Sequence, residues 1–568
     1  MFMKNELISR RSLLACSAAA LLAGCATTPQ RVAPAKAPVE VQILGLNDFH
    51  GNLETPSVPV DIARPDGTKL TTRAGGVAAM TSTLRRLRAG RASVTVAAGD
   101  LIGASPLSSA YFLDEPSIRA LSMAGLEVAA VGNHEFDKGS AELLRMQRGG
   151  CEKLTSRVPC RLEPFGGADF TYLAANVLTT GGTTLFPGTV MKQVGPLRVG
   201  FIGMTLKETQ TLVTPAGVAG LRFADEVATA NALVPQLRAQ GADAIVLLIH
   251  QGGRVPEVYR ERGCDGLSGD LLPILDKLDP AIGVVVSGHT HNAYACQVQA
   301  GGTQRLVTSA GKNGFLVTDI RLTYDPGTRR LLSATAENVP VAGDAEDPQV
   351  AALVSRYAAA AKPAAERPVG RLPGPALKDA EDGESPAAAL VADAQLAATR
   401  PSNRGGAQIS LINSSGVRTD LKPRADGTVT YGDIFALQPF GNNLVVKTLT
   451  GAQLKALLEQ QFKTENGTTR LASLLVPSVG FGIKYNLERA EGQRITAMSL
   501  GGRPVDPAAR YRVTVNNFLA SGGDGFSVLA QGTDSFDAGL DLDALEAWLA
   551  TNPAVPKAGR VSNVTTAG

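Results

Sequence analysis

Histidine, cysteine and tryptophan are scarce in this chain: five, six and one among 568 residues, with aromatics at 5%. The few cysteines show no C-x-x-C spacing, which argues against a thiolate zinc scaffold. Charge of one sign is also lacking. Lys and Arg number 55 against 52 Asp and Glu, so no electrostatic case exists for a polyanionic partner, and no nucleic-acid polymer is expected. No apolar run reaches the roughly 20 residues of a membrane-spanning helix. What is present is ordinary for a soluble α/β protein: 44% hydrophobic and 19% charged residues, with 61 Gly and 33 Pro. Such a composition excludes collagenous and disordered chains. The length suffices for two to four domains of roughly 150 residues each.

The N-terminus reads as an address. Lys4, Arg10 and Arg11 precede the apolar stretch 13–22, and Ala23-Gly24-Cys25 follows. A basic flank, a short apolar core and small residues make a secretory signal. Leu22-Ala23-Gly24-Cys25 is similar to a bacterial lipobox, whose Cys becomes the lipidated first residue; 9–14 also resembles a twin-arginine signal. The expectation is a signal over 1–25, a flexible tether over 26–39, and an exported periplasmic or cell-envelope lipoprotein. Its contact with the membrane would be the lipid on Cys25. Cys151, Cys160, Cys264 and Cys296 then remain, and four cysteines allow three pairings. Cys151 and Cys160 close a short loop and pair locally, leaving Cys264 with Cys296. An oxidising compartment makes disulfides the default.

Short apolar runs of strand length occur at 39–46, 92–98, 127–131, 197–204, 244–249 and 282–286. Helix-period stretches such as 76–88 and 224–239 lie between several of them, and this alternation predicts a layered α/β sheet. Closing strands are expected at 305–309 and 315–323. An Ala-rich helix over 346–367 and Pro363, Pro368, Pro373 and Pro375 mark a boundary. The second half repeats the signals: helix 386–399, strands 407–412 and 444–449, helix 451–462, strand 511–516. The expected division is a first domain over 40–340, a linker helix over 341–367 and a smaller second domain over 368–560.

The chemistry lies at strand ends. Apolar runs lead into Asn47-Asp48-Phe49-His50, Gly99-Asp100, Gly132-Asn133-His134-Glu135-Phe136-Asp137, His250 and Gly288-His289-Thr290-His291. All five histidines fall in this set, beside Asp, Asn and Gly. Ligands of open α/β sheets bind at the carboxyl ends of strands, so these loops can share one crevice. Carboxylate, amide oxygen and neutral imidazole suit a divalent metal such as Zn, Mn, Fe or Co. Asp100 can bridge two ions, since a carboxylate offers two oxygens. A pair ~3.5–4 Å apart can clamp a phosphoryl oxygen and bring a shared water to a pKa of ~7, for in-line attack as hydroxide on phosphorus.

D-x-H, G-D, G-N-H-E, an isolated strand-end His and G-H-x-H resemble the signature of the calcineurin-like metallophosphoesterases. With Asp137 and the second half, the chain resembles the secreted bacterial 5′-nucleotidase/UDP-sugar hydrolase family over nearly all its mature length. The resemblance implies an N-terminal four-layered αββα sandwich with a second, smaller α/β substrate-binding domain. It also implies two metals such as Zn, Mn or Co: one held by Asp48, His50, Asp100 and His291, the other by Asp100, Asn133, His250 and His289. His134 is then a catalytic group that stabilises the transition state and assists the leaving oxygen, oriented by Asp137. An imidazole held by a carboxylate is a recurrent general acid on physical grounds as well.

Asn413-Ser414-Ser415-Gly416-Val417-Arg418 resembles the family's N-x-x-G-[IV]-R loop, and Phe440-Gly441-Asn442 and 517–526 resemble two more of its segments. The implied substrate contacts are Asn413, Gly416, Arg418, Phe440, Asn442, Phe518 and Asp524. Two aromatics can sandwich a base, each base stack being worth about 1–3 kcal/mol. Asp524 can accept from ribose hydroxyls, and Arg418 can fork onto phosphate. One departure stands out. The family often places Arg before an E-x-x-x-G-N-L-x-A-D-A helix, but no Arg occurs between Arg371 and Arg400, and Gly-Asn has become Ala388-Ala389. Arg404 and Lys378 are the candidates to replace that clamp. The resulting expectation is a monomeric dinuclear-metal phosphohydrolase acting on nucleoside 5′-monophosphates for extracytoplasmic salvage, with nucleotide diphosphates and UDP-sugars as further candidates. A 2′,3′-cyclic-nucleotide 2′-phosphodiesterase/3′-nucleotidase and a non-catalytic nucleotide-binding surface lipoprotein are the alternatives.

Overall fold

Val39–Leu46, Ser93–Ala98 and Val128–Ala130 are Val-, Ile-, Leu- and Ala-rich and buried along nearly their whole length, as parallel strands covered on both faces must be. The computed structural model describes residues 37–565 except 57–58, 156, 329, 380–384, 466–467, 552–553 and 558. The expected signal, most of the tether and Cys25 lie outside the described residues.

Two six-stranded sheets form the first half. In the first, Val39–Leu46, Ser93–Ala98, Val128–Ala130 and Thr171–Leu173 run parallel, with Leu316–Asp325 antiparallel beside Val39–Leu46 and Arg330–Pro340 outside it. In the second, Leu197–Thr205, Ala244–His250, Ile282–Ser287 and Thr303–Ala310 are parallel, flanked by antiparallel Thr189–Val194 and Ala293–Ala300. Parallel strands need crossovers, and Val77–Arg88, Glu115–Met123, Ser140–Arg148, Glu226–Ala239 and Leu271–Leu275 supply helical ones. Ile43, Val96, Ala130, Phe201, Val246 and Val286 are among the side chains packed between the sheets. Separate clusters join each outer face to its helices, through Leu84, Ile118 and Leu143 on one side and Ala230, Leu237 and Leu271 on the other. The architecture is the expected four-layered αββα sandwich.

Helix Pro348–Ala365 follows. Asp347 caps it by accepting from the N–H groups of Gln349 and Val350, which satisfies donors the first turn leaves open. Beyond it, Leu475–Pro477, Ile409–Asn413, Arg510–Asn516, Asn443–Thr450 and Thr533–Leu540 form a five-stranded sheet. Helix Pro386–Thr399 (PAAALVADAQLAAT) packs on it and is buried on nearly every side, so its small side chains let neighbouring elements approach. The expected helix 451–462 is shorter than its sequence signal. It ends at Glu459, and Phe462 opens strand Phe462–Glu465. Among the described residues no helix is long and apolar enough to cross a membrane. Cys151–Cys160 and Cys264–Cys296 are disulfides with Cα separations of 5.5 and 5.8 Å.

Candidate functional site

The carboxyl ends of the central strands of both sheets meet at one place. The Asp48–His50 turn lies along Gly99–Asp100: the Asp48 N–H donates to the Gly99 carbonyl and the His50 N–H to that of Asp100, both at 3.0 Å. Asp48, His50, Asp100, His289 and His291 all have positive φ, between 48° and 73°. L-residues seldom occupy this region, and its cost of order 1–3 kcal/mol per residue persists where function requires it. Gly132 makes the approach of the two loops possible, since a methyl group there would overlap the Asp100 carboxylate.

Two groups of ligand-type atoms converge. In one, His50 Nε2 lies 3.1 Å from His291 Nε2, and His291 Nε2 lies 3.4 Å from Asp48 Oδ1. In the other, His250 Nε2 lies 3.0 Å from Asp100 Oδ2, and His289 Nδ1 lies 3.2 Å from Asn133 Oδ1. Asp100 Oδ2 is also 3.8 Å from His50 Nε2, so one carboxylate faces both groups. Backbone carbonyls hold the far ring nitrogens: His50 Nδ1 is 2.9 Å from Gly103 O, and His250 Nδ1 is 2.7 Å from Ala98 O. This leaves each Nε2 for a cation, as outer hydrogen bonds do at metal sites.

The electrostatics fit two cations. Burial, reinforced by the neighbouring His250, pushes His289 down to about 3. Burial likewise lowers His50 and His291, which keeps their lone pairs free. His250 differs. Burial opposes its charge, but Asp100 outweighs it and draws the ring up to about 10. Two carboxylates enclosed with four imidazoles create a demand for positive charge that divalent ions meet.

His134 stands apart from both groups. Its Nδ1 is 2.9 Å from Asp137 Oδ2 and its N–H donates to Asp100 Oδ1 at 2.9 Å. Burial works against its charge, but Asp137 and Asp100 raise its pKa above the ordinary imidazole value.

A cavity of about 190 Å³ joins this centre to the second half. It is lined by Asp100, Asn133, His134, Asp137, His289 and His291 from the first half, and by Asn413, Gly416, Arg418, Phe440, Asn442, Phe518 and Asp524 from the second. Every substrate-contact residue expected from sequence therefore lines the same cavity as the metal-type cluster. Asp524 Oδ2 accepts from Asn413 Nδ2 at 2.7 Å and Ser415 Oγ at 2.6 Å. The Phe518 ring lies where a side chain on Gly523 would be. Phe440 stacks on His134 at 5.9 Å and 14°, with the Arg418 guanidinium 5.7 Å from its ring centre. Of the two candidate replacements for the missing Arg, Arg404 is engaged elsewhere, donating to Ala538 O at 2.6 Å. Lys378 feels the charge of Arg418, as does Lys312.

Sequence reasoning missed the role of two anchoring residues and one stretch of the cavity lining. Glu135 accepts from the N–H groups of Asp100, Leu101 and Gly132 at 2.9, 2.7 and 2.6 Å, tying two ligand loops together. Asn47 donates to Asp48 Oδ2 and to Gly311 O at 2.8 and 2.7 Å. Leu212, Val213 and Thr214 also line the cavity. Glu135 and Asn47 sit inside motifs the sequence displays, whereas 212–214 carry no motif.

Residues 41–293 match the calcineurin-like phosphoesterase family and residues 364–531 the 5′-nucleotidase C-terminal domain. The chain belongs to the calcineurin-like phosphoesterases that carry a 5′-nucleotidase C-terminal domain. A solved structure of a 5′-nucleotidase precursor from Thermus thermophilus is similar to it, with 26% identity and a TM-score of 0.74 over 93% of this chain and all of that one. Endonuclease YhcR of Bacillus subtilis is 28% identical over 87% of this chain, and the cell wall protein Lmo0130 of Listeria monocytogenes 29% over 86%. The chain spans 38% and 64% of those two proteins' own lengths. Within this family the two clusters are the phosphoesterase domain's candidate sites for two divalent metals.

Proposed function

We propose that the protein is a metal-dependent phosphomonoester hydrolase that releases phosphate from nucleoside 5′-monophosphates. One observation carries this reading: His291 of one ligand cluster, Asp100 and His289 of the other, the His134–Asp137 pair and the aromatic and polar residues of the second half face a single cavity. The resemblance to a chain named as a 5′-nucleotidase supports the choice of substrate.

Asp48, His50, Asp100 and His291 would hold one ion, and Asp100, Asn133, His250 and His289 the other. Such ions supply Lewis-acid charge for phosphoryl oxygens and acidify a nucleophilic water. The chain's own groups do the rest. His134, kept protonated by Asp137, places a ring N–H donor at the leaving oxygen and passes its proton there as the ester bond breaks. Arg418 makes no hydrogen bond through its guanidinium to a described residue, which leaves its fork for phosphate. Asp524, fixed by Asn413 and Ser415, presents a carboxylate to the sugar hydroxyls, and Phe518 offers a face to the base, while Phe440 lines the same cavity stacked on His134.

Assay of inorganic phosphate from AMP against 2′,3′-cyclic AMP tests the reading. Preferred release from AMP supports it; exclusive turnover of the cyclic ester establishes the phosphodiesterase alternative, and no turnover of either with both ions bound leaves only a binding protein. We also propose export as a Cys25-anchored lipoprotein, supported by the leader sequence and the two disulfides. Cys25→Ser should abolish acyl labelling and shift the protein out of the membrane fraction; unchanged fractionation without labelling in the wild type contradicts it.

A further inference from the structure

The cavity has a face that neither the metal ligands nor the second half supplies. Leu212, Val213 and Thr214 line it from the first half, with Val213 buried and its two neighbours half-buried. They close the short helix Thr209–Leu212, which packs against the Gly523–Gly525 turn containing Asp524. The segment is anchored on both sides. At its start the Thr209 hydroxyl donates to Leu206 O at 2.7 Å and lies 3.2 Å from the Thr205 hydroxyl. At its end Gly217 sits so close to the Phe136 carbonyl that an added Cβ would come within 2.5 Å of that oxygen. Phe136 belongs to the turn His134–Phe136, so the segment runs from the carboxyl end of strand Leu197–Thr205, over the cavity, to the back of the catalytic turn.

We infer that Leu212, Val213 and Thr214 form the third face of the nucleoside pocket and set which nucleosides it accepts. The inference rests on the nucleotide reading above. The chemistry of the segment indicates how it selects. Two aliphatic side chains and one hydroxyl supply contour with little hydrogen-bonding capacity, while Asn413, Ser415 and Asp524 of the second half supply the polar groups. Such a wall reads the size and flatness of a base rather than the pattern of donors and acceptors on its edge. Apolar walls discriminate modestly, because a methylene is worth only about 10- to 200-fold. The substrate class is therefore nucleotides of several bases, graded by how fully each fills the space between Phe518 and this segment. Because the wall comes from the metal-bearing half and Phe518 and Asp524 from the other, the pocket is complete only when the two halves face each other.

The test uses the full-length metal-loaded protein and two readouts. One is the ratio of kcat/KM for AMP to that for p-nitrophenyl phosphate. The other is competitive inhibition of p-nitrophenyl phosphate turnover by adenosine. Leu212→Ala should lower the ratio about tenfold and weaken adenosine inhibition by a similar factor, whereas Leu212→Met should stay close to wild type on both. An unchanged ratio with unchanged adenosine inhibition, in a protein that still turns over AMP, overturns the wall while leaving the nucleotide reading intact. Equal losses on both substrates also overturn it, since the segment would then act through the His134 turn alone. A wild-type protein that hydrolyses p-nitrophenyl phosphate, ignores AMP and is not inhibited by adenosine overturns the nucleotide reading itself, and the wall with it.

Discussion

His134 Nδ1 and Asp137 Oδ2 are 2.9 Å apart, three residues separated in one tight turn. Asp137 fixes which ring nitrogen carries the outward-facing proton and holds that proton to higher pH. A general acid works only while protonated, so activity should fall as pH rises through the His134 pKa. Asp137→Asn removes the carboxylate that raises this pKa, and the alkaline limb of kcat should move to lower pH. His134→Asn should keep its metals yet lose roughly 10²–10⁴ in kcat. Metal analysis beside a pH–rate profile checks both; loss of metal from the His134 variant would make it a ligand instead.

Asp100 is the only described carboxylate within 4 Å of imidazoles from both clusters, His50 and His250. Asp100→Ala should therefore reduce the bound metal at both positions and abolish turnover. Elemental analysis after gel filtration reads the stoichiometry directly, and two ions retained at full activity would refute the bridging role.

Lys312 and Lys378 come from different halves, and each feels the charge of Arg418. Burial, with Arg418 and Lys378 nearby, holds Lys312 down to about 8. Its charge is complete below that pH and lost above it. KM for AMP should consequently rise as pH passes through about 8, and Lys312→Arg should flatten that rise. Lys378→Ala should raise KM several-fold with little change in kcat, the pattern of lost uniform binding. A KM independent of both lysines would assign the clamp to Arg418 alone.

Stability depends on a site away from the chemistry. Arg145 is buried between Glu115 and Glu142, at 2.8 and 2.6 Å. Replacing it with Leu strands two buried carboxylates, a change that typically costs about 3–5 kcal/mol. Urea denaturation of Arg145→Leu should show that loss, and a variant as stable as wild type would mean the carboxylates find protons or water at little cost.

The metal-type residues were legible in sequence because they sit in short motifs at the ends of apolar strands, while their grouping into two ligand sets was what the family resemblance implied. The strand Val39–Leu46 leads straight into Asp48 and His50, and the helix Pro386–Thr399 has the bounds its pattern gives. What escaped notice has a physical reason in each case. Thr189–Val194 and Arg330–Pro340 are sheet edges, mostly half-exposed or exposed, and lack a continuous apolar run. Glu135 reads as part of a motif, but its work is to accept three backbone N–H groups from two loops, which only the fold brings together. Leu212–Thr214 lie in an unremarkable stretch and acquire a role because the second half packs over them.

Metal reconstitution tests the central claim most directly. The protein is stripped of metal, reloaded by titration with Mn or Zn, and phosphate release from AMP is followed against ions bound per chain. The expected result is negligible activity when stripped and a rise that saturates at two ions per chain, with Asp100→Ala never reaching it. Full AMP hydrolysis by the stripped protein, or saturation with two ions bound and no phosphate released, would contradict a two-metal nucleotide phosphohydrolase.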